Sequence, residues 1–329
     1  MISVGRRLSK LGLVLLAACG VAGAGAAELQ PYQLVRSLQH LQDRLAAGDQ
    51  AALPMQPRML ETIDQRLRAV ETTAFDDPRN FRSLLIYGMS GGNPDTVELL
   101  VSRLRLEGTH EQLATAVVNY MRGRLKPAQI ALAPLEPMAF APEFGAFLAL
   151  IKGSAFASDD PKSALPLLDQ ARLLGTGTLI EEAALRRSLA LSAETGDAAR
   201  FLHLAGDYAR RFLRSPYASQ FADAFVSGVM ALHRSLDLRK LAAITSVMNR
   251  EQEQVIYLRI ARRAAIDGLT ELSAFASARA GMDSVESGEP ADPRALLYST
   301  LATLTSGDSS DTLQTLRGLD RASLTPNDR

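Results

Sequence analysis

The 329-residue chain is 47% hydrophobic and 22% charged, ordinary globular material with room for one elongated domain or two compact ones. Its 36 basic and 36 acidic residues cancel, so the positive excess that phosphate-backbone binding needs is missing and nucleic acid is excluded as a partner. Cys19 is the one cysteine; beyond it the chain can form no disulfide and offers no thiolate nucleophile or thiolate metal ligand.

Residues 1–26 read as a secretory signal. Arg6, Arg7 and Lys10 precede an apolar run from Leu11 to Ala18, and a tail of small residues follows to Ala26, the type that fits the narrow subsites of signal peptidase. The strongly apolar part falls well short of the roughly 20 residues a spanning helix needs, and it ends in glycines, which weaken a helix. Cleavage is expected near Ala26 or Ala27. The rival is lipidation at Cys19, because Leu16-Ala17-Ala18-Cys19-Gly20 resembles a bacterial lipobox. Either way the body lies outside the cytoplasm. Removing residues 1–26 takes away three basic residues and no acid, leaving a net charge of −3.

After the signal, apolar residues recur at helical spacing with no convincing strand period, which predicts an all-α chain. Leu34, Leu38, Leu41 and Leu45 form one stripe, and Met59, Ile63, Leu67 and Val70 another. Asp77-Pro78, Asn93-Pro94 and Thr109 announce the next three helices, since such residues cap free N–H groups or preset φ. These elements make an N-terminal helical group over 27–125. Pro127, Pro134, Pro137 and Pro142 mark a proline-rich connection at 126–142. A helical-hairpin array fills 143–329.

Within that array, Asp159-Asp160-Pro161 opens a helix carrying Ala164, Leu168 and Ala171, and Gly196-Asp197 opens another about 37 residues on. The period is near the 34 of tetratricopeptide repeats, but Lys152 stands where a glycine is expected and Phe201 where a small residue is expected. Further helices are predicted around 221–232, 238–248, 252–266, 269–280 and 294–304. Short loops bring consecutive helices back antiparallel, so the expected architecture is an α-solenoid of stacked antiparallel helical hairpins with degenerate tetratricopeptide-like repeats. The final Leu324-Thr325-Pro326-Asn327-Asp328-Arg329 reads as a helix start with no helix after it, so the natural protein is expected to continue past Arg329.

Chemistry-bearing motifs are sparse. His40, His110, His203 and His233 sit on different predicted helices without metal-ligand spacing, and no zinc site is expected. Gly88-Met89-Ser90-Gly91-Gly92 lacks the preceding strand and following Lys of a phosphate loop and reads as a turn. Asp76-Asp77, Asp159-Asp160 and Glu181-Glu182 read as helix-starting acids. Arg186-Arg187, Arg210-Arg211 and Arg262-Arg263 read either as solvated helix faces or as the donors of a groove for an acidic peptide. No catalytic residue, cofactor, metal ligand or small-molecule substrate site is assigned, and partner-contact residues cannot be told from solvated ones.

The stretch Leu29-Gln30-Pro31-Tyr32-Gln33-Leu34-Val35-Arg36-Ser37-Leu38-Gln39, continuing to Gln56, resembles the start of the mature MotC family, periplasmic motility proteins of alphaproteobacteria. The 80–94 and 156–175 stretches are similar to that family too, as is the end of the chain, where family members run on. The resemblance implies a periplasmic flagellar accessory protein that binds the periplasmic domain of the stator protein MotB and supports torque generation, with no cofactor and no catalytic motif. Two other readings stand beside it. One is a periplasmic or lipid-anchored scaffold for envelope assembly; the other is a cell-wall lytic enzyme, for which no separate catalytic domain is left room.

Overall fold

The structure, a computed structural model, describes residues 29–287 and 292–303 and the single positions 317 and 324. Within them the chain is all α, with fifteen α-helices, three short 3-10 turns and no strand. First come α1 (Pro31–Ala46), α2 (Met55–Ala69), α3 (Pro78–Met89), α4 (Pro94–Arg103), α5 (Thr109–Met121) and α6 (Leu125–Leu132). The middle holds α7 (Pro142–Phe156), α8 (Pro161–Leu174), α9 (Leu179–Glu194) and α10 (Ala198–Arg211). The rest is α11 (Ala218–Ala231), α12 (Leu238–Thr245), α13 (Arg250–Ile266), α14 (Thr270–Ser287) and α15 (Pro293–Thr303).

Local chemistry sets the helix starts. Asp77, Asn93, Asp160, Thr178, Asp197, Asp237 and Asn249 each accept a backbone N–H from the first turn of the helix they precede. Each bond satisfies a donor the helix itself cannot, worth about 1 kcal/mol. In α1 the predicted Leu38, Leu41 and Leu45 are buried, but the fourth buried aliphatic is Val35, with Leu34 at the edge of the core. In α2 only Ile63 and Leu67 of the predicted stripe are buried. The proline-rich span 126–142 is occupied by α6, a 3-10 turn at Pro137–Ala139 and the first residue of α7. One apolar cluster runs across it, from Val35 to Leu191.

The two residues that depart from the expected tetratricopeptide pattern have structural partners. Lys152 is buried in α7, its Nζ donating to the carbonyls of Ala133 at 3.1 Å and Leu135 at 2.7 Å, which ties down the chain leaving α6. The close approach of α7 and α8 falls one residue later, at Gly153, where a Cβ would stand 2.9 Å from the Leu168 side chain. Phe201 of α10 is large because its neighbour is not: its ring lies over Gly228 of α11. The pair sets a large residue of α10 against a small one of α11.

Apolar residues gather in two large clusters, and α9 serves both. Its Ala184 belongs to the first, while Leu185 and Leu189 belong to the second, which extends through α10, α11 and α13 to Tyr298 of α15. From α7 onward most helices pack on their sequence neighbours, the solenoid-like pattern the loop lengths imply. The N-terminal end departs from it. There α1 packs on α9 as well as on α2 and α3. Ala46 joins the second cluster, and Gln50 Nε2 donates to the Arg214 carbonyl at 2.6 Å, 164 residues away. The N-terminal helices therefore curl back onto the middle of the array and enclose a cleft with it.

Candidate interaction surface

The cleft has a volume of about 780 Å³ and is walled by α1, α3, the start of α7 and α9, with Tyr217 at one end. Its floor is apolar: Ile86, Phe144, Phe147 and Leu150 come from the buried core. Its walls carry five arginines against the acids Asp43, Glu143 and Glu182.

Two of those arginines are committed. Arg79 holds Asp77, with Nη2 to Oδ2 at 2.7 Å, and lies over the Tyr32 ring at 4.3 Å. That pairing holds the Asp77 carboxyl below its ordinary range. Arg186 grips Glu182 with both arms, Nε to Oε1 at 2.9 Å and Nη2 to Oε2 at 3.1 Å, and also reaches Gln220 at 2.6 Å. Arg36 of α1, Arg82 of α3 and Arg187 of α9 are exposed and make no hydrogen bond or ion pair within the described residues. Asp43 faces the same space; burial pushes its carboxyl up, with neighbouring His40 and the Leu179 N–H opposing. Beyond Gln56 and Tyr217, which line both, the cleft continues into a smaller hollow of Leu53, Pro54, Pro57 and Leu60.

The acid pairs separate by burial. Asp77 and Asp160 cap α3 and α8 as expected, and Asp159 pairs with Lys126 at 2.6 Å. Glu181 and Glu182 do lie in the first turn of α9, but both are buried, so opposing the helix dipole is not their main role. Glu182 is fully buried against Arg186 and accepts the Tyr208 hydroxyl at 2.7 Å. Burial, with this carboxylate adding to it, pushes the Tyr208 phenol far above its usual value. Glu181 holds Arg211 and accepts the Gly177 N–H at 2.6 Å. Buried carboxylates need such partners, and two arginines supply them: Arg186, partly buried beside Glu182, and Arg211, which stays exposed while its guanidinium reaches Glu181. Arg210 pairs with Asp207 at 2.6 Å and Arg263 with Asp267 at 3.6 Å.

The histidines stay apart. His40 lines the cleft, His110 packs edge-on to Phe81 at 5.0 Å, His203 lies 3.5 Å from Asp207, and His233 Nδ1 contacts the Met230 carbonyl at 2.9 Å. Among the described residues no group of three His, Cys, Asp or Glu side chains is placed to hold a metal ion. The turn 90–93 between α3 and α4 is braced by the Tyr87 hydroxyl, which accepts the Asn93 N–H at 2.9 Å and donates to Asp64 at 3.1 Å. Cys19 and the terminal 325–329 segment lie outside the described residues.

A profile of the chemotaxis protein MotC family matches residues 3–329, nearly the whole chain. This chain belongs to the MotC family. Chemotaxis protein MotC of Rhizobium meliloti (strain 1021) is 40% identical over 314 residues, which cover 95% of this chain and 72% of that protein. No solved structure matches. Membership places the chain among motility accessory proteins, and among the described residues no helix is long and apolar enough to cross a membrane.

Arg36 and Arg82 stand in no motif of the sequence, and of the three arginines only Arg187 falls in a basic pair, Arg186-Arg187. No local pattern sets them apart from other surface arginines. What distinguishes them is the packing of α1 on α9, a contact between segments more than a hundred residues apart.

Proposed function

We propose that this protein is a periplasmic accessory of the flagellar motor, acting as an adaptor that binds the periplasmic domain of the stator protein MotB and supports torque generation. Membership of the MotC family over nearly the whole chain is the observation that carries the reading. The basic and apolar layout of residues 1–26 supports export, and a helical array with an open cleft suits a protein that works by holding another polypeptide. The reading needs no cofactor, no small-molecule substrate and no catalytic centre.

Deletion of the gene is expected to weaken or abolish swimming in soft agar while flagella still assemble; normal swimming would sink the proposal. The mature protein should also co-purify with the periplasmic domain of MotB. A second reading, a lipid-anchored scaffold for envelope assembly, draws on the lipobox-like residues ending at Cys19. Intact mass of the exported protein separates the two fates of that segment: cleavage near Ala27 removes the thiol, whereas acylation retains Cys19 with its lipid.

A further inference from the structure

The geometry points to an acidic, amphipathic segment of another polypeptide as the occupant of the cleft, its carboxylates meeting Arg36, Arg82 and Arg187 and its apolar side chains entering the hollow of Leu53, Pro54, Pro57 and Leu60. The inference rests on the adaptor reading and adds where the partner docks and what chemistry it presents.

Charge is the first observation. Arginines in this part of the fold generally find acids: Arg79 has Asp77, Arg186 has Glu182 and Arg211 has Glu181. Arg36, Arg82 and Arg187 come from three different helices, face one space and make no hydrogen bond or salt bridge among the described residues; Arg82 acts only through space on Asp77, which Arg79 already grips. The acids of the lining do not supply one. Glu182 is already gripped, Asp43 is half-buried with its carboxyl pushed up, and Glu143 is exposed without a salt bridge. A guanidinium presents a planar fork that matches a carboxylate, so three of them in one cleft select for acidic groups spaced along a chain.

Shape is the second. The cleft does not end at its arginines but runs past Gln56 and Tyr217 into a hollow walled by aliphatic and proline side chains, of which Leu53 is 41% exposed. A free inorganic anion would leave that extension empty. A neutral glycan strand would leave the guanidiniums without counter-charge. A nucleic acid needs a basic excess to neutralise its phosphates, and the chain has none. A peptide with acidic and apolar side chains uses both halves.

The test measures fluorescence anisotropy of labelled short peptides of mixed Glu and Leu on the purified full exported chain. Binding should weaken about tenfold when the peptide's Glu residues become Gln, and by a similar factor in R36Q/R82Q/R187Q, since exposed guanidinium–carboxylate contacts are individually modest and add up. It should weaken as salt rises. Circular dichroism should show the variant folded, because none of the three side chains holds the structure. The control R103Q/R124Q/R234Q, which removes exposed arginines elsewhere, should bind as wild type does.

No binding, equal binding of the Gln peptide, unchanged affinity in R36Q/R82Q/R187Q, or preference for soluble peptidoglycan fragments would each overturn the inference. The MotB periplasmic domain, tested in parallel, keeps the two proposals apart. If it binds wild type and R36Q/R82Q/R187Q equally, the cleft is the wrong site and the partner stands. If acidic peptides bind through these arginines while MotB does not bind at all, the cleft stands and the partner is wrong.

Discussion

Gly228→Ala should destabilise this protein, against the ordinary effect of that substitution in a helix. In a solvent-exposed helix the change stabilises by about 0.5–1 kcal/mol, because alanine loses less backbone entropy on folding. At Gly228 the new methyl would stand 2.7 Å from Phe201 Cζ, with Cε2 closer still. The ring cannot swing clear. Phe201 is fully buried and stacks on Phe225 at a centroid distance of 5.8 Å, and Phe225 in turn stacks on Phe221 at 5.5 Å. Forcing a methylene-sized group into such packing costs about 1–3 kcal/mol, more than the entropic gain, so a net loss is expected. Phe201→Leu alone leaves a void and costs about 1–2 kcal/mol. Combined with Gly228→Ala the added methyl takes up part of that void, so the double variant should be more stable than the sum of the singles by about 1–2 kcal/mol. Urea unfolding of the mature chain followed by circular dichroism gives the midpoints, compared at a common slope. A raised midpoint for Gly228→Ala, or strict additivity in the double variant, would refute the account of Phe201 and Gly228 as a large and small pair.

Three further outcomes follow from other contacts. Arg186→Met strands the fully buried Glu182 with only the Tyr208 hydroxyl and should cost about 3 kcal/mol, whereas E182Q/R186M should recover most of it in the same assay. Burial alone would raise the Asp64 carboxyl, but hydrogen bonds from Thr96, Arg68 and Tyr87 outweigh it and hold it below its ordinary value of 3.8. A depressed folded-state value contributes stability above the unfolded one, so Asp64→Asn should cost about 1–3 kcal/mol at pH 7. That gap to wild type should narrow as pH falls from 3.8 through the lower folded-state value, and a gap that does not change between pH 7 and acid counts against the network. Pro166, exposed in the interior of α8, removes a helix hydrogen bond without packing in the core. Pro166→Ala should therefore stabilise by about 1–3 kcal/mol, read as a higher urea midpoint, and a lower one would refute the reasoning.

The sequence by itself determined the class of fold and much of its punctuation. Helical periodicity depends on which residues recur every three or four positions, and caps such as Asp77, Asn93 and Asp160 act within a few residues of themselves, so both are written locally. Family membership was legible for a similar reason, because segments such as 29–56 carry it residue by residue. What the sequence left open was every decision taken by residues far apart. Lys152 and Phe201 read as lapses in a repeat by sequence; the structure sets Leu135 and Gly228 beside them. Glu181 and Glu182 looked like first-turn acids at a helix surface until packing buried them against Arg211 and Arg186. The cleft is the clearest case. Its arginines lie on α1, α3 and α9, and only the return of α1 onto α9, fixed by apolar burial and by Gln50 on the Arg214 carbonyl, brings them to one space. Periodicity reports which face of a helix is buried and carries no record of which distant helix buries it.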